Sequence, residues 1–204
     1  MTTAAETHDR IMEVARKNFA CNGYLGTSMD SIVKGTGLSK GAIYWHFKGK
    51  KELFRAVLEK ETEMILANLI PERGVPTSGV LEFFLDWGDK YLEMIWGDRE
   101  LKLLWLELFI ESQRCGAEDC DLSNMASEIL ETVHRKIRII LAGIFPGLGG
   151  GKEGLPLADL INVAEFLFDA LIVSLGVRAD LEKAKSYWRF LISRMIEGGK
   201  SYVS

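Results

Sequence analysis

The chain contains three cysteines, Cys21, Cys115 and Cys120, among 204 residues. A sparse, odd number without framework spacing argues against a disulfide-stapled secreted protein and for a reducing compartment. Histidines also number three, His8, His46 and His134. There is no H-E-x-x-H and no G-x-S-x-G, so metalloprotease and serine-hydrolase chemistry lack their parts. The run Pro146-Gly147-Leu148-Gly149-Gly150-Gly151-Lys152-Glu153 looks superficially like a phosphate loop. Pro146 stands where the first glycine is needed, Glu153 replaces the Ser/Thr, and no strand precedes it. A linker is the better reading, and neither catalysis nor a cofactor is expected. The N-terminus lacks a basic region followed by an apolar run, so no signal peptide is expected. Leu160 to Gly176 is the most apolar stretch, but Glu165 and Asp169 interrupt it and it is too short to span a bilayer. These absences predict a cytoplasmic protein with no membrane partner.

What is present is ordinary in bulk and uneven in distribution. Hydrophobic residues make up 48% and charged residues 26%, which excludes disorder and fibrous architecture. The formal net charge is −4, yet up to Arg55 there are nine basic residues against five acidic ones. That segment carries a surplus of about four positive charges, leaving about −8 for the rest. A basic head on an acidic body suits a phosphate-binding module joined to a part that does not touch nucleic acid.

Helical periodicity runs almost throughout. Ile11, Ala15 and Phe19 recur every four residues beside Val14; Thr3 and Glu6 have capping-box spacing at the start, and Asn22-Gly23 marks the end. Thr27 and Asp30 repeat that spacing before a short second helix, which Gly35-Thr36-Gly37 breaks. Ser39 caps a third short helix reaching Phe47, and Gly49 closes it. From Lys50 a longer helix buries Leu53, Phe54, Val57, Leu58, Ile65 and Leu69 and stops at Pro71. Further helices are predicted near Val80–Trp96, Arg99–Arg114, Ser123–Phe145, Leu157–Gly176 and Asp180–Gly198. Pro71 to Gly79, Cys115 to Asp121 and Pro146 to Pro156 read as connections. No strand and no repeat stands out, so the fold is all-α with about nine helices.

The first sixty or so residues form a helix-turn-helix candidate. A tight turn must join its second and third helices, and Gly37 can supply a positive φ there. Leu38, Ile43 and Phe47 bury the inner face of the third helix, leaving Ser39, Lys40, Gly41, Tyr44, Trp45 and His46 outward. Lys40 can reach base edges or phosphate, and Gly41 lets a backbone approach. Tyr44 and His46 can hydrogen-bond phosphates, and Lys50 adds charge at the next helix start.

Phe19, Gly23-Tyr24, Thr27-Ser28-Met29, Gly37-Leu38-Ser39-Lys40-Gly41, Tyr44, His46-Phe47, Lys50 and Glu52-Leu53 resemble the TetR-like (tetracycline-repressor-like) transcriptional regulators. Gly41-Ala42-Ile43-Tyr44-Trp45-His46-Phe47-Lys48 looks especially like members that repress multidrug efflux pumps. The motif match covers about the first quarter of the chain. It implies that Thr27, Ser28, Lys40, Tyr44, His46 and Lys50 touch DNA, mostly at phosphates, with Lys40 and Trp45 nearest the bases. The chain departs from the family at Val33, where a small alanine is usual, with Gly35 shortly after.

Two heads on spaced half-sites normally supply operator affinity, so a homodimer on an inverted repeat is expected. Leu160, Ala164, Phe168 and Leu171, with Trp188, Leu191 and Met195, are the candidate interface in a four-helix arrangement. The middle helices are rich in aromatics. Trp87, Tyr91, Trp105 and Phe109 are candidates to line a pocket for a small apolar, aromatic or cationic organic effector, with Glu107 or Glu111 as polar anchors. The division expected is a DNA-binding domain over 1–52 and a ligand-binding and dimerisation domain over 53–204. The long helix from Lys50 joins them, and an effector preferring one of its positions would release DNA. A metal- or redox-responsive regulator using Cys115 and Cys120 is the alternative.

Overall fold

Capping and hydrophobic spacing place the helices closely where the sequence puts them. The computed structural model describes residues 3–69, 79–114, 120–144 and 157–198. Among these residues there are nine helices: α1 (Ala4–Gly26), α2 (Met29–Thr36), α3 (Lys40–His46), α4 (Lys50–Leu69), α5 (Val80–Gly97), α6 (Arg99–Gln113), α7 (Cys120–Ile144), α8 (Leu157–Ser174) and α9 (Leu181–Gly198). The all-α reading holds. Extended pairing among the described residues amounts to one isolated bridge, Leu175 with Ala179. The expected connections over 71–78, 115–119 and 146–156 lie outside the described residues.

The first helix termini follow from particular residues. Thr3 accepts from the Glu6 N–H at 3.2 Å, and the Glu6 carboxylate accepts from the Thr3 N–H at 2.7 Å, completing the expected capping box. The second box sits one residue later than the Thr27 spacing suggests. Ser28 caps α2, its hydroxyl accepting from the Ser31 N–H at 3.0 Å while the Ser31 hydroxyl accepts from the Ser28 N–H at 3.2 Å. Thr27 is instead the last cap of α1, where its hydroxyl donates to the Gly23 carbonyl. Gly37 takes the left-handed conformation at φ 66°, as the turn requires. Ser39 caps α3 by accepting from Ala42 N–H at 3.2 Å.

The helices group into two compact units, neither continuous in sequence. Unit 1 comprises residues 1–64 and 99–131; unit 2 comprises 65–98 and 132–204. This grouping follows packing, whereas the expected division after residue 52 follows function along the chain. In unit 1, Ile11, Ala15 and Phe19 of α1, Ile32 of α2, Ile43 of α3 and Leu53, Phe54 and Val57 of α4 are buried together with Leu101, Leu104 and Leu108 of α6. The Phe19 and Phe54 rings lie 4.8 Å apart. Leu38, expected inside, is half-buried. Val33 is also half-buried, and a Cβ at Gly35 would come within 2.7 Å of Val14, so Gly35 lets α2 seat closely on α1.

Unit 2 is built on aromatic packing between α5, α8 and α9. Phe168 stacks on Trp188 at 4.1 Å and meets Trp87 edge-on at 4.9 Å. Around them Phe84, Leu92, Ile95, Leu175 and Ile192 are fully buried. Asp89 and Arg189 add a two-toothed ion pair between α5 and α9.

Candidate nucleic-acid interface

The helix pair α2–α3 carries an outward surface of the kind DNA recognition needs. Ser28, Ser39, Lys40, Gly41, Tyr44 and Trp45 are all exposed, while Ile43 and Phe47 on the opposite side are buried. Trp45 leaves 75% of its surface open to solvent, a heavy cost in unburied apolar area for a residue with no partner surface. His46 is half-buried, its ring 4.6 Å from Trp45 at 90° and 5.8 Å from His8 of α1. Gly41 sits in the middle of the first turn of α3, and a Cβ there would meet nothing within 4 Å. Nothing inside the fold requires a glycine at that point; an approaching backbone would.

Lys40 is held by Asp30 of α2, its ammonium donating to the carboxylate at 2.9 Å, with both side chains largely exposed. The hydrogen bond and charge of Asp30 raise the Lys40 pKa above its usual value. Its ammonium also lies 5.9 Å from the Tyr44 ring centroid. Sequence reading missed the Asp30 partnership, because ten residues and a turn separate the two.

Two of the expected contact residues have other work inside unit 1. Thr27 is buried at 2% exposure, with its hydroxyl bonded to the Gly23 carbonyl at 2.8 Å, so that group does not face outward. Lys50 is half-buried. Its ammonium donates to the Tyr24 carbonyl at 2.8 Å and the Thr27 carbonyl at 2.9 Å, and lies 4.2 Å from the Tyr24 ring centroid. It ties α4 to the end of α1, where unsatisfied carbonyls attract a cation.

The four candidate effector residues divide between the units. Trp87 and Tyr91 lie on one face of α5 in unit 2, stacked at 6.1 Å, and Phe168 packs against both. Burial and the nearby Asp169 charge push the Tyr91 hydroxyl well above the usual tyrosine range. Trp105 and Phe109 lie on α6 in unit 1, where Trp105 is buried and its indole N–H has no partner. The suggested anchors Glu107 and Glu111 are engaged within unit 1, Glu107 with the Tyr24 N–H and Glu111 with Arg114. Unit 2 also holds buried acids that sequence reading left aside. Burial lifts Glu165 to about 7 and Asp169 to about 6, and one Glu165 carboxylate oxygen is buried without a partner.

The expected dimer residues on α8 and α9 are mostly turned inward. Ala164, Phe168, Leu171 and Trp188 are buried within their own unit, and Met195 is half-buried. Of the expected set only Leu191 is exposed; the Leu160 side chain lies outside the described residues. The outward apolar residues are Val163, Phe166 and Val173 of α8, Val177 just beyond its end, and Tyr187 and Phe190 of α9. The signal was present in the sequence, since 163, 166, 170, 173 and 177 follow alternating three- and four-residue steps. A helix apolar on two sides simply does not declare which side its own unit takes.

For the metal or redox alternative, Cys115 and the Cys120 side chain lie outside the described residues. Among the described residues there is no cluster of three or more metal-ligating side chains. Among them, too, no helix is long and apolar enough to cross a membrane.

A three-helix head with a capped turn, a buried inner face and an exposed polar-aromatic outer face defines a helix-turn-helix protein. Residues 11–57 match the family model of bacterial regulatory proteins, tetR family. The regulator SrpR of Pseudomonas putida is 35% identical over 75 residues, covering 37% of this chain and 35% of SrpR. The chain's match thus spans about a third of that relative. The repressor AcnR of Corynebacterium glutamicum is 28% identical over 172 residues, covering 78% of this chain and 90% of AcnR. The transcriptional regulator FadR of Bacillus subtilis, solved in complex with stearoyl-CoA, superposes with a TM-score of 0.71 at 22% identity, covering 93% of this chain and 99% of FadR. The similarity to bacterial regulatory proteins of the tetR family thus rests on residues 11–57, about a quarter of the chain. Regulators, not enzymes, are what the family and these relatives describe.

Proposed function

We propose that this protein is a cytoplasmic transcriptional regulator, acting as a repressor, that binds an inverted-repeat operator as a homodimer and is released by a small organic effector. The observation that carries the reading is the outer face of α3, where Lys40, Gly41, Tyr44 and Trp45 stand exposed above a fully buried Ile43. Tyr44 and Ser28 suit phosphates, Lys40 and Trp45 suit base edges, and Ser39 and His46 flank them. Thr27 and Lys50 act behind this surface by fixing its geometry. Residues 1–52 then form the DNA-reading part, and 53–204 the part that binds effector and partner.

The second copy is supplied by the outward faces of α8 and α9. Phe166 at 77% and Phe190 at 60% exposure make an apolar surface that a four-helix contact would cover. Leu191 belongs to it. The effector reading is supported by the aromatic wealth of α5 and α6 and by the acyl-CoA ligand of a structural neighbour. Within unit 2 the candidates are Trp87 and Tyr91; within unit 1, taken by itself, the candidate is Trp105, with its unpaired indole N–H.

The test is selection of bound duplexes from a random library by the full-length protein, beside a Lys40→Ala/Tyr44→Ala variant. Enrichment of one inverted repeat, lost in the variant, is the expected result. No enrichment by folded wild-type protein would overturn the reading.

A further inference from the structure

Gly23 interrupts α1 with φ 69° and ψ 176°, a conformation only glycine adopts freely. Such a break releases the next backbone N–H from the regular ladder, and that donor needs an acceptor. Glu107 of α6 provides it, its carboxylate accepting from the Tyr24 N–H at 2.5 Å. The carboxylate fills the room that residue 23 leaves: a Cβ there would lie 2.8 Å from one oxygen and 3.1 Å from the other. On the opposite side of the same residue, Lys50 of α4 holds the Tyr24 carbonyl and the Thr27 carbonyl. The backbone of Tyr24 is therefore gripped at its N–H by α6 and at its carbonyl by α4. Four residues later Ser28 opens α2 as its cap.

One turn further along α6, Glu111 is only 3% exposed. Burial raises its pKa, the neighbouring Glu107 carboxyl raises it further, and Arg114 and Lys50 oppose the rise.

We propose that Glu107 is a positioning residue for DNA recognition: from α6 it fixes the Tyr24 backbone, and through it the entry of α2 and the attitude of the Ser28 and α3 surface. The proposal rests on the DNA-binding reading above. Glu107 touches no DNA itself; it acts through a peptide group that a regulator must hold still to keep its two helices in register. An exposed contact residue contributes affinity by adding a bond, whereas this one contributes selectivity by restricting where existing bonds can form.

The experiment compares full-length wild type with Glu107→Ala, Glu107→Asp and Glu107→Gln. Affinity is read for the duplex enriched by selection and for a scrambled duplex of equal length, together with hydrogen exchange at the Tyr24 amide. Removing a charge-assisted hydrogen bond should lower operator affinity about tenfold in the Ala variant. Scrambled-duplex affinity, set by phosphates, should stay as it is. Asp, one methylene short, should behave like Ala; Gln, whose amide oxygen still accepts, should recover most of the loss. Tyr24 should exchange faster in the Ala and Asp variants and as in wild type in the Gln variant.

Unchanged discrimination in the Ala and Asp variants would overturn the proposal. So would equal losses on both duplexes, which mark loss of folded protein alone. If the Ala variant does not fold, the contrast of Asp with Gln decides. A wild type that discriminates no duplex instead removes the DNA-binding reading, with the Tyr24 exchange pattern left intact.

Discussion

The Trp188 indole N–H donates to the Phe84 carbonyl at 3.0 Å, reaching α5 at the one point where residue 88 has no side chain. A Cβ on Gly88 would clash with the five-membered ring of the indole, so the glycine is what allows α9 to lie this close. Gly88→Ala should therefore cost about 1–3 kcal/mol or more through overpacking. Trp188→Phe keeps an aromatic ring but neither the donor nor the full indole volume, and should cost about 1 kcal/mol from the hydrogen bond, plus the cavity left. Thermal and denaturant unfolding of both variants would check the order, with Gly88→Ala the more damaging.

Arg16 of α1 binds Glu61 of α4 at 2.7 Å and Glu100 of α6 at 2.6 Å, with Glu61 nearly buried. Removing the arginine strands a buried carboxylate, so Arg16→Ala should lose about 3–5 kcal/mol. Arg16→Met combined with Glu61→Leu should recover a large part, because the desolvated charge goes with its partner. Chemical denaturation of the single and double variants would read the difference.

Glu165 and Asp169 give unit 2 a defined pH response. Their folded pKa values, about 7 and about 6, lie above the ordinary 4.5 and 3.8 because burial disfavours the charge. The folded state then binds more protons than the unfolded one, so this contribution is greatest in acid and is lost as pH rises through about 7. His134 of α7, 3.7 Å from Glu165, works in the opposite sense. Burial and Arg138 lower its pKa, so its contribution falls as pH drops below the ordinary 6.5. Glu165→Gln should flatten the loss between about pH 4 and 8, a range spanning the ordinary 4.5 and the shifted value of about 7. The variant should be more stable than wild type at the alkaline end, as melting curves across that range would record.

Asp30 holds Lys40 on the surface proposed to meet DNA. Asp30→Asn should raise affinity for duplexes generally by severalfold, since it frees a cation and removes a repelled anion. Lys40→Ala should weaken binding and, if Lys40 meets a phosphate, reduce the slope of log K against log salt by about 0.9. Titrations at several salt concentrations would separate the two effects.

Phe166 and Phe190 are exposed aromatic residues of α8 and α9. Phe166→Glu with Phe190→Glu should leave the fold unchanged, because neither side chain enters the core. It should convert a dimer to a monomer in sedimentation and lower operator affinity. Persistence of the dimer would exclude these faces.

Local chemistry made most of the fold legible. Thr3 with Glu6, Gly37 and Ser39 are short-range instructions, and each terminates an element as its chemistry requires. The second cap moved from Thr27 to Ser28 because two adjacent hydroxyl residues offer the same bond, and only the Gly23 carbonyl decides which is already taken. The exposed face of α3 was readable since Ile43 and Phe47 claim the inside at four-residue spacing. The role of Lys50 was not, because its carbonyl partners come from a break 26 residues earlier in the chain. The inward turn of Phe168 and Trp188 was hidden for another reason. Both sides of α8 are apolar, and burial of one follows from α5, which periodicity within α8 does not contain.

The discontinuity of unit 1 bears on how the protein can be rebuilt. Residues 1–64 share their unit with 99–131, so no single break in the gene separates α2 and α3 from everything in their unit. A chimera that joined residues 1–52 to a foreign sensor would keep every exposed side chain of α3, yet leave behind the Glu107 carboxylate and the aromatic ring of Phe54. Exchanging specificity between relatives is better done by grafting the outer residues of α2 and α3 onto an intact chain.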